Sequence, residues 1–141
     1  MYFIRTNKDD EITLFSNRLD MIRKGRSIKY KVCNGLNIFS KKEGVQVYDK
    51  YTISNLCIDD FDYIRVAMIP SDSDVRQIKT DKYFHWVCDK IILTDKNYLY
   101  DKQTIVHFNI KVKDEFIQRI SELGLVNILE WLEHYLNIIA Y

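Results

Sequence analysis

Residues Tyr83–Leu93 read YFHWVCDKIIL, residues Leu125–Ile139 read LVNILEWLEHYLNII, and the change of period between the two decides the fold class. In the first, Phe84, Trp86 and Cys88 alternate with His85, Val87 and Asp89, the two-residue repeat of a strand. In the second, Ile128, Leu129, Leu132, Tyr135, Leu136 and Ile139 fall at i, i+3, i+4 spacing and share one helix face. Strands followed by helices predict an α+β fold. The expected organisation is a small mixed or antiparallel β domain over residues 1–96, with a C-terminal helical hairpin over 97–141 packed on it as one unit.

Working outward, Tyr63–Ile69 is a second firm strand, rich in β-branched residues and ended by Pro70. Tyr2–Arg5, Ile28–Val32, Leu36–Phe39 and Val45–Tyr48 read as shorter strands, with Gly35 and Gly44 as turns. Ile12–Phe15 is either a strand or the entry to a helix over Ser16–Lys24 that Gly25 stops. Thr52–Cys57 is expected to form a helical turn and Ser71–Asp74 a polar loop. Asp101 is placed to cap a short helix ending at His107, and Asp114 a second one. On that second helix Phe116, Ile117, Ile120 and Leu123 share a face before Gly124 turns the chain.

The 141 residues suit one domain with a real core, and 47% hydrophobic with 13% aromatic residues describe a folded chain rather than a disordered one. The net charge of +1 makes no demand for a polyanionic partner. Its distribution is uneven, because Arg23, Lys24, Arg26, Lys29 and Lys31 occur together with no acid among them. No apolar run is long enough to cross a bilayer, and MYFIRTNKDD turns charged too early for a signal peptide, so neither a membrane nor secretion is expected. Three separated cysteines, Cys33, Cys57 and Cys88, suit a reducing compartment. Heavy use of Ile, Lys, Tyr and Asn points to an AT-rich gene.

Chemistry is thin. Cys33, Cys57, Cys88, His85, His107 and His134 sit in no local catalytic signature, and buried thiols with ordinary imidazoles are the simpler reading. His85 and Cys88 are three apart on a strand, which sends them to opposite faces rather than to one metal ion. Four scattered glycines make no phosphate loop, and Asp59, Asp60, Asp62, Asp72 and Asp74 read as turn formers. No enzyme activity, cofactor or metal is expected.

Thr6-Asn7-Lys8, Gly35-Leu36-Asn37-Ile38, Tyr63-Ile64-Arg65-Val66 running to Ile69-Pro70, and Asp89-Lys90-Ile91-Ile92-Leu93 occur in that order. They resemble the pattern at the head of ankyrin-repeat proteins of mimivirus-like giant viruses. The run Ile120–Leu132, ISELGLVNILEWL, is similar to the centre of one ankyrin repeat, and Tyr98–Phe108 resembles the connector before the repeats. Val45–Tyr51 lacks the Gly-Gly-aromatic segment usual there, and no "TPLH" turn is present. An array needs about three or more repeats to share a core. The resemblance therefore implies a head domain with one vestigial repeat and no binding groove.

These readings lead to a non-catalytic protein–protein interaction protein, a viral accessory or host-directed factor of the host cytoplasm or viral factory. Its partner would be a host protein or a second copy of itself. The apolar end Asn137–Tyr141 either folds back or forms a contact, with Trp131, Tyr135, Ile138 and Tyr141 as candidate residues. Arg23, Lys24 and Arg26 are candidates for a charged contact. The competing expectations are nucleic-acid binding through the Arg23–Lys31 stretch and a self-assembling structural protein.

Overall fold

A computed structural model describes residues 1–13, 15–16, 29–40, 43–53, 61–79 and 84–139. The protein is α+β, with ten antiparallel strands among these residues followed by three helices. The strands are β1 (Tyr2–Thr6), β2 (Glu11–Thr13), β3 (Phe15–Ser16), β4 (Lys29–Lys31), β5 (Gly35–Ile38), β6 (Glu43–Val47), β7 (Tyr63–Met68), β8 (Val75–Lys79), β9 (Phe84–Cys88) and β10 (Lys90–Tyr98). The helices are α1 (Lys102–His107), α2 (Asp114–Glu122) and α3 (Val126–Ile139).

One sheet has the order β1-β7-β10-β5, a second has β3-β6-β9-β8, and β2 pairs with β4. A bridge joins the two larger sheets. Phe3 N–H donates to Tyr48 O at 2.7 Å and Tyr48 N–H donates to Phe3 O at 2.8 Å. The sheets also share a continuous stretch of chain, because Asp89 alone separates β9 from β10.

Two of the expectations about the strands are corrected by the sheet topology. Tyr83–Leu93 is not one strand region: the chain turns a corner at Asp89 and changes sheet. The Asp89 carboxylate accepts from Asp74 N–H at 2.7 Å and from the Ser73 hydroxyl at 3.1 Å, while Asp89 O accepts from Phe39 N–H at 2.6 Å. Those bonds hold it between both sheets. Gly44 is not a turn but lies inside β6, where a Cβ would collide with Val87 Cγ1 and come within 3.1 Å of Cys88 O. Glycine is there because β9 passes too close for any side chain.

Alternation along β1 and β7 sorts side chains into two cores. Ile4 and Ala67 face Ile12, Val32, Val45, Val47, Cys88, Ile91 and Leu93 between the sheets. Phe3 and Ile64 face the helices and meet Ile105, Phe116, Ile120 and Leu132. The helices thus cover one sheet face with the i, i+3, i+4 stripe that the sequence carries. Leu123 falls outside that stripe: it is the exposed C-cap of α2.

The helix ends follow local chemistry. Asn109 (φ 51°) follows α1 and Gly124 (φ 71°) follows α2, each in the left-handed region that lets a helix stop. Ile110 N–H donates to Ile105 O at 3.0 Å and Leu125 N–H donates to Ile120 O at 3.2 Å, closing both ends. Asp101 and Lys113 occupy the N-cap positions, and neither caps through its side chain. Asp114, expected as the cap, is the first helical residue instead, where its charge still favours the helix N-terminus. A bidentate ion pair fixes α2 to the sheet domain: Arg119 donates to the Asp62 carboxylate at 3.2 and 3.0 Å.

Candidate interaction surface

The anticipated contact residues are only partly gathered. Trp131 and Tyr135 stack at 4.7 Å with ring planes 14° apart, and both are half-buried against the helix–sheet core. Ile138 is in α3, but its side chain lies outside the described residues, as do Tyr141, Arg23, Lys24 and Arg26. Of the basic stretch, Lys29 and Lys31 are exposed on β4, and Tyr30 between them packs toward the sheet–sheet core. The helix considered over Ser16–Lys24 lies outside the described residues except for Ser16, which is in β3, and of Thr52–Cys57 only the first two residues are described.

The short motifs behave as fasteners of turns. Asn7 Oδ1 accepts from Asp9 N–H at 3.0 Å and Glu11 N–H at 2.9 Å, setting the turn from β1 into β2. Asn37 does the same before β5, donating to Cys33 O at 2.8 Å and accepting from Cys33 N–H at 3.1 Å. Arg65 on β7 gathers these turns: it donates to Asp10 Oδ1 at 2.8 Å, to Thr94 O at 2.8 Å and to Asn34 Oδ1. Lys96 adds an ion pair to Asp10 at 3.2 Å. The Arg65 hydrogen bond, opposed by partial burial and assisted by Lys96, lowers the Asp10 carboxyl from its ordinary value. With both terminal nitrogens of Arg65 directed at its own chain, the cluster reads as scaffold.

Two of the groups that carry chemistry, Cys88 and His85, are equally internal. Cys88 is fully buried between the sheets, and burial followed by the Asp89 charge pushes its thiol up to about 11. A thiol in that state is no nucleophile at neutral pH. His85 lies against the Tyr48 ring at 5.7 Å, and burial lowers its imidazole from the ordinary value. Cys33 is exposed, next to Asn37. Among the described residues no three His, Cys, Asp or Glu side chains come together to hold a metal ion.

What the outer surface does carry is an aliphatic row. Register pairs Leu36 with Ile92 and Ile92 with Met68, so these side chains stand abreast on the sheet face that carries the helices further along. Leu36 is 54%, Ile38 64% and Met68 54% exposed, whereas Ile92 is half-buried. The row ends at β5, which is the sheet edge among the described residues.

Among the described residues no further strand pairs with that edge. Because Phe39 N–H donates to Asp89 O, the alternation of an antiparallel pair aims Asn37 and Gly35 toward β10. Leu36 and Ile38 therefore direct their N–H and C=O groups outward. The edge strand β8 of the second sheet is guarded: its sequence VRQIK carries Arg76 and Lys79. Sequence reasoning placed a strand at Leu36–Phe39 without marking it as a binding edge. The alternating pattern of Leu36 and Ile38 was visible, but strand order was not.

Among the described residues no helix is long and apolar enough to cross a membrane. The chain matches no protein-family model, and neither a curated protein nor a solved structure is found to match it.

Proposed function

We propose that this chain is a non-catalytic protein–protein interaction protein, a viral accessory or host-directed factor acting in the host cytoplasm or viral factory. The likeness of its motifs to the head of giant-virus ankyrin-repeat proteins supplies the viral setting. The observation that carries the interaction reading is the exposed row of Leu36, Ile38 and Met68 at an open sheet edge. Exposed aliphatic side chains on an edge are a cost to a monomer, and they are retained where something covers them. Trp131 and Tyr135, with Ile138 and Tyr141 beyond them, form a second candidate contact, and Arg23, Lys24 and Arg26 a charged one.

The test compares the wild-type chain with a Leu36→Asp/Met68→Asp variant that keeps its unfolding midpoint. Both are titrated against each purified protein that co-purifies with the wild type in stoichiometric amount. Loss of binding in the variant is expected; equal affinity overturns the reading.

A second reading, nucleic-acid binding, is favoured by the exposed Lys29 and Lys31 on β4. It requires oligonucleotide affinity that falls steeply with salt and disappears in Lys29→Glu/Lys31→Glu. A chain that shows no such affinity at low salt ends that alternative.

A further inference from the structure

We infer that β5 pairs edge to edge with the β5 of a second copy, antiparallel about a two-fold axis at Asn37. This rests on the interaction reading above and names the partner of the same surface. The two residues whose backbone groups face outward, Leu36 and Ile38, are one step either side of Asn37. A two-fold axis there sets Leu36 opposite Ile38 of the partner and Ile38 opposite Leu36 of the partner. Each pair exchanges two N–H···O=C bonds, which satisfies all four open groups on each strand.

The side chains agree with the backbone. The row Met68, Ile92, Leu36 continues into Ile38 of the second copy, and its symmetry mate does the same. No charge lies within Gly35–Ile38 to repel its own image. Lys90, the cation beside Ile38 on that face, is held by Asp72 at 2.8 Å.

The size of the edge selects this occupant over a disordered peptide. Four residues at about 3.3 Å each make an edge of about 13 Å, and over a sheet layer about 10 Å deep that is roughly 130 Å², far short of the roughly 800 Å² per partner in a stable complex. So small a contact leaves little to offset the ordering of a flexible segment. A second β5 is already extended and held by β10, so it loses little freedom on pairing. The product is a reversible dimer populated at high local concentration rather than an obligate one.

The experiment combines sedimentation from micromolar to millimolar concentration with site-directed cross-linking. Both use a Cys33→Ser/Cys57→Ser background. Opposed residues of a hydrogen-bonded pair are about 5.5 Å apart at Cα, within disulfide range. Leu36→Cys chains mixed with Ile38→Cys chains should therefore cross-link to each other faster than either does alone. Ile38→Lys should weaken dimerisation by more than about tenfold while leaving the unfolding midpoint in place.

Monomer at every concentration with no preferred cross-link overturns the pairing, yet leaves the interaction reading standing if the Leu36→Asp/Met68→Asp variant still loses a foreign partner. Association that survives Ile38→Lys places the contact on another surface and also overturns it. A monomer whose β5 cysteines are shielded by a foreign strand replaces the second copy with that partner.

Discussion

Two edge strands, β5 of one sheet and β8 of the other, solve the same problem in opposite ways. Both end a four-stranded sheet, and both carry an exposed aliphatic residue, Ile38 on β5 and Val75 on β8. Strand β8 adds Arg76 and Lys79 and is joined to β9 along all five of its residues. Strand β5 has four residues, no charge and two exposed aliphatics. Like charges make self-pairing of β8 unfavourable, and β5 carries no charge of its own. The contrast teaches that an uncharged edge in a fold that charges another of its edges marks where contact is tolerated.

The largest expected effect lies in the sheet that β8 ends, where β9 passes over Gly44 of β6. Gly44→Ala forces a methyl against Val87 and the Cys88 carbonyl, and urea unfolding should show a loss of about 1–3 kcal/mol. Gly35 heads β5 with φ 87° and open space around it, so Gly35→Ala should cost only the backbone strain, about 1–2 kcal/mol. A costlier Gly35→Ala would mean that the edge at β5 is packed against something after all.

The next effect sharpens the contrast through pH. His85 pairs with Ile78 across β9 and β8, and burial keeps its folded imidazole below the ordinary value. The unfolded chain then binds a proton that the folded chain refuses. Its contribution is complete above about pH 6.5 and is lost as pH falls from there toward the folded value. The unfolding free energy read from urea titration should decline over that range, by at most about 1.4 kcal/mol per pH unit for one proton. The decline should flatten in His85→Gln, and an unchanged slope would clear His85 of any role.

The smallest change in stability is expected at the guarded edge itself. Arg76→Val/Lys79→Val should alter unfolding by no more than about 0.5 kcal/mol. Sedimentation should nonetheless show new, concentration-dependent association, because the variant copies onto β8 the uncharged surface of β5. A variant that stays as monodisperse as its parent would show that the two edges differ for another reason.

Several elements were legible before any coordinates. Tyr63–Met68 is a strand because its branched residues suit a pleated surface and Pro70 soon follows. Gly124 ends α2 because a left-handed residue is what a helix needs to stop, and the C-terminal periodicity shows on α3 as the buried Leu132 among half-buried neighbours. Strand β8 was illegible because VRQIK, exposed at alternate positions, has no apolar face to announce it. Of the proposed surface, Leu36 and Ile38 were visible as members of a strand, and nothing more.

By itself the sequence determined period, and therefore several of the strands, the C-terminal helices and the glycine that ends α2. Local sterics and the spacing of apolar residues act within a few positions, so they can be read from one segment alone. Only the tertiary structure decided that Asp89 is a corner, that Gly44 lies under β9 and that β5 is an edge. Each of these depends on a neighbour distant in sequence: Ser73 and Asp74 for the corner, Val87 for the glycine, and strand order for the edge. An alternating Gly-Leu-Asn-Ile reads the same in the middle of a sheet as at its rim. The difference is whether another strand arrives to accept its backbone, and that is a property of the assembled fold.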